Sequence, residues 1–138
     1  MSLTFEQAYD EMMSLLNDVW TPTGYTMHWE GVREDRDTDS SPWASVVVRH
    51  ADGGQRTLGG SGSRIFNRTG VIIVEVNTPS TSGLSEAYQL AKVVADAYEG
   101  SSSPNGVWFR NVSMRENGRD GTFNKLEVVV EFNYHELK

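Results

Sequence analysis

The side chains most able to do chemistry in this chain are its three histidines, because imidazole is the commonest acid–base group and metal ligand near neutral pH. His28, His50 and His135 each fall on or beside a predicted strand, and none has a second ligand-type residue at metal-site spacing, so they read as strand-end or surface histidines. Asp35, Asp37 and Asp39 have the alternating spacing of a calcium loop. The Gly and Glu that such a loop needs at its sixth and twelfth positions are here Ser40 and Val46, which leaves a solvated loop. Gly59-Gly60-Ser61-Gly62-Ser63-Arg64 has enough glycine for a phosphate cradle, but no Lys-Ser/Thr pair follows and no helix begins there. It reads as a flexible or irregular strand edge. Glu127 and Glu131 share one face of a strand, and simple alternation accounts for them as its solvent side. No nucleophile elbow, His-Glu-x-x-His helix or dinucleotide fingerprint occurs. The absence of cysteine removes thiol catalysis, disulfides, Cys-ligated zinc and iron–sulfur clusters. No catalytic, cofactor-binding or metal-binding residue is therefore assigned, and no cofactor is expected.

Charge is more informative than chemistry. Residues 1–41 carry nine acids and two bases, residues 42–70 one acid and four bases, and residues 71–138 nine acids and six bases, giving −7, +3 and −3. Arg49, Arg56, Arg64 and Arg68 thus bring positive charge to a glycine-rich hairpin in an acidic protein. One reading is ordinary scatter over a solvated surface. The other is heterologous self-association, in which the basic hairpin meets the acidic part of a neighbouring copy and repetition closes a ring. On the second reading the interface comprises Arg49, Arg56, Gly59, Gly60, Gly62, Arg64 and Arg68, with the glycines letting the hairpin adapt on docking.

The elements that must position this hairpin are legible from periodicity. Thr4 and Gln7 have capping-box spacing, and Phe5, Ala8, Tyr9, Met12, Leu15, Leu16, Val19 and Trp20 recur at helical steps until Thr21-Pro22-Thr23-Gly24 stops them. Tyr25, Met27 and Trp29 alternate as a strand, and residues 33–41 read as an exposed loop. Trp43 to His50 is a second strand, Asp52-Gly53-Gly54 a turn signal, and Gln55 to Leu58 the expected returning arm. A further turn is expected at Asn67-Arg68-Thr69-Gly70. Val71 to Val76 is a β-branched run suited to the middle of a sheet. Leu84, Ala87, Tyr88, Ala91, Val94, Ala95 and Tyr98 form the stripe of a second helix that ends near Gly100. Val107 to Glu116, a turn at residues 117–121, and Phe123 to Tyr134 complete the order. The expected class is α+β: a mixed, mostly antiparallel sheet of five to six strands with two helices on one face and a projecting hairpin.

At 138 residues the chain is expected to be a single domain, residues 1–138. Its formal charge of −7 argues against sequence-specific nucleic-acid binding, which needs clustered Lys and Arg. Its apolar runs are far shorter than the roughly twenty residues that span a bilayer, so no membrane partner is expected. The opening Met1-Ser2-Leu3-Thr4-Phe5-Glu6 lacks the basic and apolar regions of a secretory signal, and a cytosolic or virion protein is expected. The Asn-x-Ser/Thr sequons at Asn67 and Asn111 then carry no meaning.

The segment Val48 to Gly60, then Arg64 to Gly70 leading into Val71-Ile72-Ile73-Val74-Glu75-Val76, resembles the tail terminator-like proteins of long-tailed bacteriophages. Thr78-Pro79, Gly83-Leu84 opening the second helix, and Val107-Trp108-Phe109-Arg110-Asn111-Val112 resemble them too. The resemblance implies a structural, non-enzymatic virion protein, made in the host cytoplasm and sited at the head-proximal end of the tail. It would form a homo-oligomeric, hexameric ring that caps the tail tube protein, stops its polymerisation and docks to the head–tail connector or neck protein, with DNA passing through the lumen. It brings no catalytic residue. The alternatives are a neck or head-completion protein, or a small α+β ligand-binding domain or enzyme.

Overall fold

A computed structural model describes residues 3–29, 41–120 and 123–138; Asp35, Asp37 and Asp39 lie outside the described residues. Helix α1, Phe5–Trp20, starts at the expected capping box: the Thr4 hydroxyl accepts from the Gln7 amide at 3.2 Å, and the Gln7 side chain accepts from the Thr4 amide at 3.0 Å. These two bonds satisfy backbone donors that have no partner within the helix. A single 3₁₀ turn, Thr21–Thr23, ends it, and the Trp20 indole donates to the Tyr25 carbonyl at 2.9 Å to hold the reversal into strand β1, Thr26–His28.

Strands β2 (Trp43–Asp52), β3 (Ile65–Pro79), β4 (Trp108–Asp120) and β5 (Phe123–Leu137) complete a five-stranded sheet in the order β1-β2-β3-β5-β4. Among the described residues only the β1–β2 pairing is parallel. Helix α2, Ser85–Tyr98, crosses between β3 and β4. Along β5 every second residue from Asn124 to Glu136 is buried, and Leu126, Val128, Val130 and Phe132 join Ile72, Val74 and Val76 of β3 and the inner stripes of α1 and α2 in one apolar cluster. Both helices therefore lie on one face. The Tyr98 hydroxyl ties them together by donating to the Met12 carbonyl at 2.9 Å.

The opposite face carries half-buried residues and cross-strand ion pairs. Glu75 stands directly opposite Glu127, a like-charge pairing that would be unfavourable alone. Lys125 reaches Glu75 at 3.0 Å and Arg115 reaches Glu127 at 3.2 Å, which offsets it.

Three expectations are corrected. Asn67 to Gly70 is not a turn but part of β3: all four residues pair with β5, and Thr69 and Gly70 pair with β2 as well. Gly70 is required by packing: a Cβ would overlap the Arg49 carbonyl oxygen and lie 2.7 Å from the ring of Phe132. The β4 strand does not stop at Glu116 but continues to Asp120, with a bulge at Asn117-Gly118 where a turn was expected. The buried stripe of α2 is Ala87, Leu90, Ala91, Val94, Ala97 and Tyr98, whereas Leu84 and Tyr88 are exposed and Ala95 half-buried. The helix is rotated about its axis relative to the expected face.

Candidate interface at the loop between the second and third strands

The pairing of β2 with β3 slips between His50 and Asp52, so Ala51 is left as a bulge and the strand bends. The Asp52 carboxylate accepts from the Gly53 amide at 2.8 Å, and the chain then runs forward beside the start of β3. The Asn67 amide donates to the Gly54 carbonyl at 2.8 Å, Gln55 bridges to Phe66, and the Arg56 amide donates to the Ile65 carbonyl at 2.7 Å. The expected arm at Gln55 to Leu58 thus does not pair back on β2. It pairs with the first residues of β3, which are available because β3 continues where a turn was expected.

Beyond Thr57, whose hydroxyl accepts from the Ile65 amide at 2.9 Å, residues 58–64 are all exposed. A turn closes the tip, with the Ser63 amide donating to the Gly60 carbonyl at 3.0 Å and Gly62 at a positive φ of 89°. The loop is clamped at its base, where Arg64 and Lys138 exchange backbone bonds of 3.1 and 2.7 Å. The tip is therefore exposed and glycine-rich, while its base is part of the sheet.

The structure brings Arg56, Gly59, Gly60, Gly62 and Arg64 together on this loop. Arg64 donates from Nε to the Gly59 carbonyl at 2.8 Å, and Arg56 is exposed. Arg49 lies on β2, exposed, with its guanidinium donating to the Val48 carbonyl at 3.0 Å. Arg68 is drawn inward: its side chain is 12% exposed, pairs with Glu136 at 3.0 Å and donates to the Gly53 carbonyl at 3.0 Å. Its guanidinium also lies 5.0 Å from the Phe5 ring centroid and 5.1 Å from that of Phe66. A Cβ on Gly53 would collide with this guanidinium. Arg68 is thus a strut under the loop, and Arg56 and Arg64 are the loop's outward cations.

Beside the strut, a depression of about 280 Å³ is lined by Phe5, His50, Ala51, Asp52, Gly53 and Arg68. His50 Nε2 lies 2.7 Å from the Tyr134 hydroxyl, and its ring meets Phe5 and Phe132 edge-on. Burial and then the Arg68 charge hold the His50 pKa below its ordinary value. Burial pushes the Tyr134 hydroxyl up to about 12, with Arg68 opposing and Glu136 adding to the rise. A neutral imidazole accepting the Tyr134 proton satisfies both groups. The His50–Tyr134 bond anchors β2 to β5. Among the described residues no cluster of three or more His, Asp or Glu could hold a metal ion. His28 meets Trp43 edge-on, and His135 meets Trp108 in the same way.

Sequence reasoning missed the loop's most exposed apolar side chain. Leu58, expected within a paired strand, is 99% exposed at the tip. Tyr88 and Met114 are also exposed, and Tyr88 had been expected in the core. A lone leucine in a run of Gly, Ser, Thr and Arg was the available signal, because nothing nearby in sequence could bury it.

The fold is shared with 27 chains of solved structures. One of them aligns with a TM-score of 0.65 over 91% of this chain and 94% of its own at 14% identity, which establishes likeness of fold. No curated protein matches the sequence. The family model for phage tail terminator protein matches residues 8–122, from α1 to the far end of β4. The chain belongs to the phage tail terminator family. That family is a structural one and not a class of enzymes, which sets this chain in the virion tail, in association with other tail or head proteins.

Proposed function

We propose that the protein assembles into a ring of six subunits on the head-proximal end of the tail tube, ends tube polymerisation there and presents the surface that joins the head. The observation that carries this reading is the basic, exposed loop held on a rigid sheet in an otherwise acidic chain, a feature suited to repeated head-to-tail contacts. The single apolar cluster joining both helices to the sheet supports treating residues 1–138 as one unit that docks as a body. Capping is then a matter of surfaces: one face of the ring matches the tube, and the other lacks the acceptor for a further tube ring, so growth stops without any reaction. The net charge of −7 suits a lumen that passes DNA without holding it.

Negative-stain microscopy of purified tubes with and without the protein tests the reading. Ring-shaped density at one end of each tube, appearing only when the protein is added, is the expected result. A protein that binds heads but leaves tube ends bare would favour a neck or head-completion role.

A further inference from the structure

The inner face of the sheet is incompletely covered. Val112 and Met114 of β4 pair with Val130 and Val128 of β5 and so belong to the inward row, but α2 stops short of them. The result is a groove of about 490 Å³ between α2 and β4, with an apolar floor and walls made by Tyr88, Ala91, Ala95, Val112 and Met114. Its rim is acidic: Asp96 and Glu99 at the end of α2, and Glu116, which accepts from the Tyr88 hydroxyl, stand beside Lys92, the one cation among the described residues that line the groove, itself paired with Asp96 at 2.8 Å. The last turn of α2 carries no basic residue, so the negative end of the helix dipole adds to this field.

The loop described above is the complement of this groove. It presents Leu58, 99% exposed, between Arg56 and Arg64, and residues 53–64 contain no acid. We propose that the Leu58 loop of one copy seats in the α2–β4 groove of the next copy, with Leu58 on the apolar floor and Arg56 and Arg64 against Asp96, Glu99 and Glu116. The inference rests on the ring reading above and supplies its contact. The loop cannot reach the groove of its own chain. It leaves the sheet where Ile65 pairs with Leu137, whereas the groove lies over Val128 to Val130, about 25 Å back along β5 at roughly 3.3 Å per residue. Loop and groove are different surfaces, so the contact is heterologous and each copy offers one of each, which generates a ring when the rotation closes.

The chain contains no cysteine, which permits a direct test by cross-linking. A chain carrying both Leu58→Cys and Met114→Cys, oxidised under assembly conditions, is expected to give a covalent ladder that ends at the full ring. Each single variant should give no species beyond a dimer. Both positions are exposed, so folding is not at stake, and unchanged circular dichroism checks it. As a second arm, Leu58→Asp should lower oligomer occupancy at least tenfold by mass photometry, and Ala95→Trp, which fills the groove, should do the same. Mixing those two variants should restore only one-to-one dimers, since one loop and one groove remain intact between them. A double-cysteine chain that stops at dimers, while unmodified protein still forms rings, overturns the loop–groove contact and leaves the ring reading standing. Unmodified protein that stays monomeric with and without tubes overturns both.

Discussion

Arg68 and Glu136 illustrate what single residues contribute. Their charges are nearly removed from water, so the pair is held by two guanidinium–carboxylate bonds to one oxygen, and Arg68 is shared with the Gly53 carbonyl. Arg68→Ala would leave the Glu136 carboxylate buried without its partner, which costs about 3 kcal/mol. A corresponding fall in melting temperature, together with faster proteolytic cutting of residues 53–64, is the expected outcome. Arg68 stood among the outward interface residues on sequence grounds because charge is visible in a sequence and burial of its partner 68 positions away is not. His50 and His135 define a pH dependence. Burial lowers the pKa of both, with Arg68 adding to the effect at His50 and Arg56 at His135. The unfolded chain therefore takes up protons first as pH falls through the ordinary histidine range near 6.5, and the folded state loses stability from about pH 7 downward. Melting temperature should fall between pH 7.5 and 5.5, and His50→Gln should flatten that fall.

At the scale of elements, β5 was legible almost residue by residue because a strand with one covered face has a period of two, and its alternation runs unbroken from Asn124 to Glu136. Val128 is 1% exposed in the middle of that row, so Val128→Asp would bury a carboxylate with no partner. A penalty of several kcal/mol against a margin of about 5 to 15 predicts insoluble or unfolded protein, and a soluble variant with unchanged melting temperature would contradict the packing described. Helix α2 was legible as a helix but not in its rotation. Alanines and aromatics occur on adjoining flanks, and which flank is buried depends on α1 packing against α2 and on the overhang of β4, neither of which the periodicity of α2 contains. Ala87 is fully buried, so Ala87→Leu should overpack the helix–sheet contact and cost about 1–3 kcal/mol in chemical denaturation. The misplaced turn at Asn67 to Gly70 has a similar origin. The same Gly70 that favours a turn serves here to let β2, β3 and β5 approach closely, and single-chain turn chemistry does not distinguish the two uses.

For the whole molecule, the segregated charge was the feature in the sequence that pointed beyond folding, and the fold gives it a location: Arg56 and Arg64 on a projecting loop, carboxylates on the rim of a groove beside the far sheet edge. The groove itself was invisible beforehand, because Tyr88 and Met114 looked like core and strand residues until the coverage of the sheet was known. Exposed charges of this kind add little to monomer stability but act strongly on partner choice. Reversing Arg56 and Arg64 to Glu should leave the melting temperature within about 2 °C while weakening assembly, and added salt should weaken the unmodified assembly in the same direction. The central claim is that this protein ends tail growth by occupying the tube, and tail length tests it most directly. Particles assembled by the phage without this protein should show overlong tubes that carry no heads, with normal tails restored by the intact chain; tails of normal length that still join heads would contradict the account.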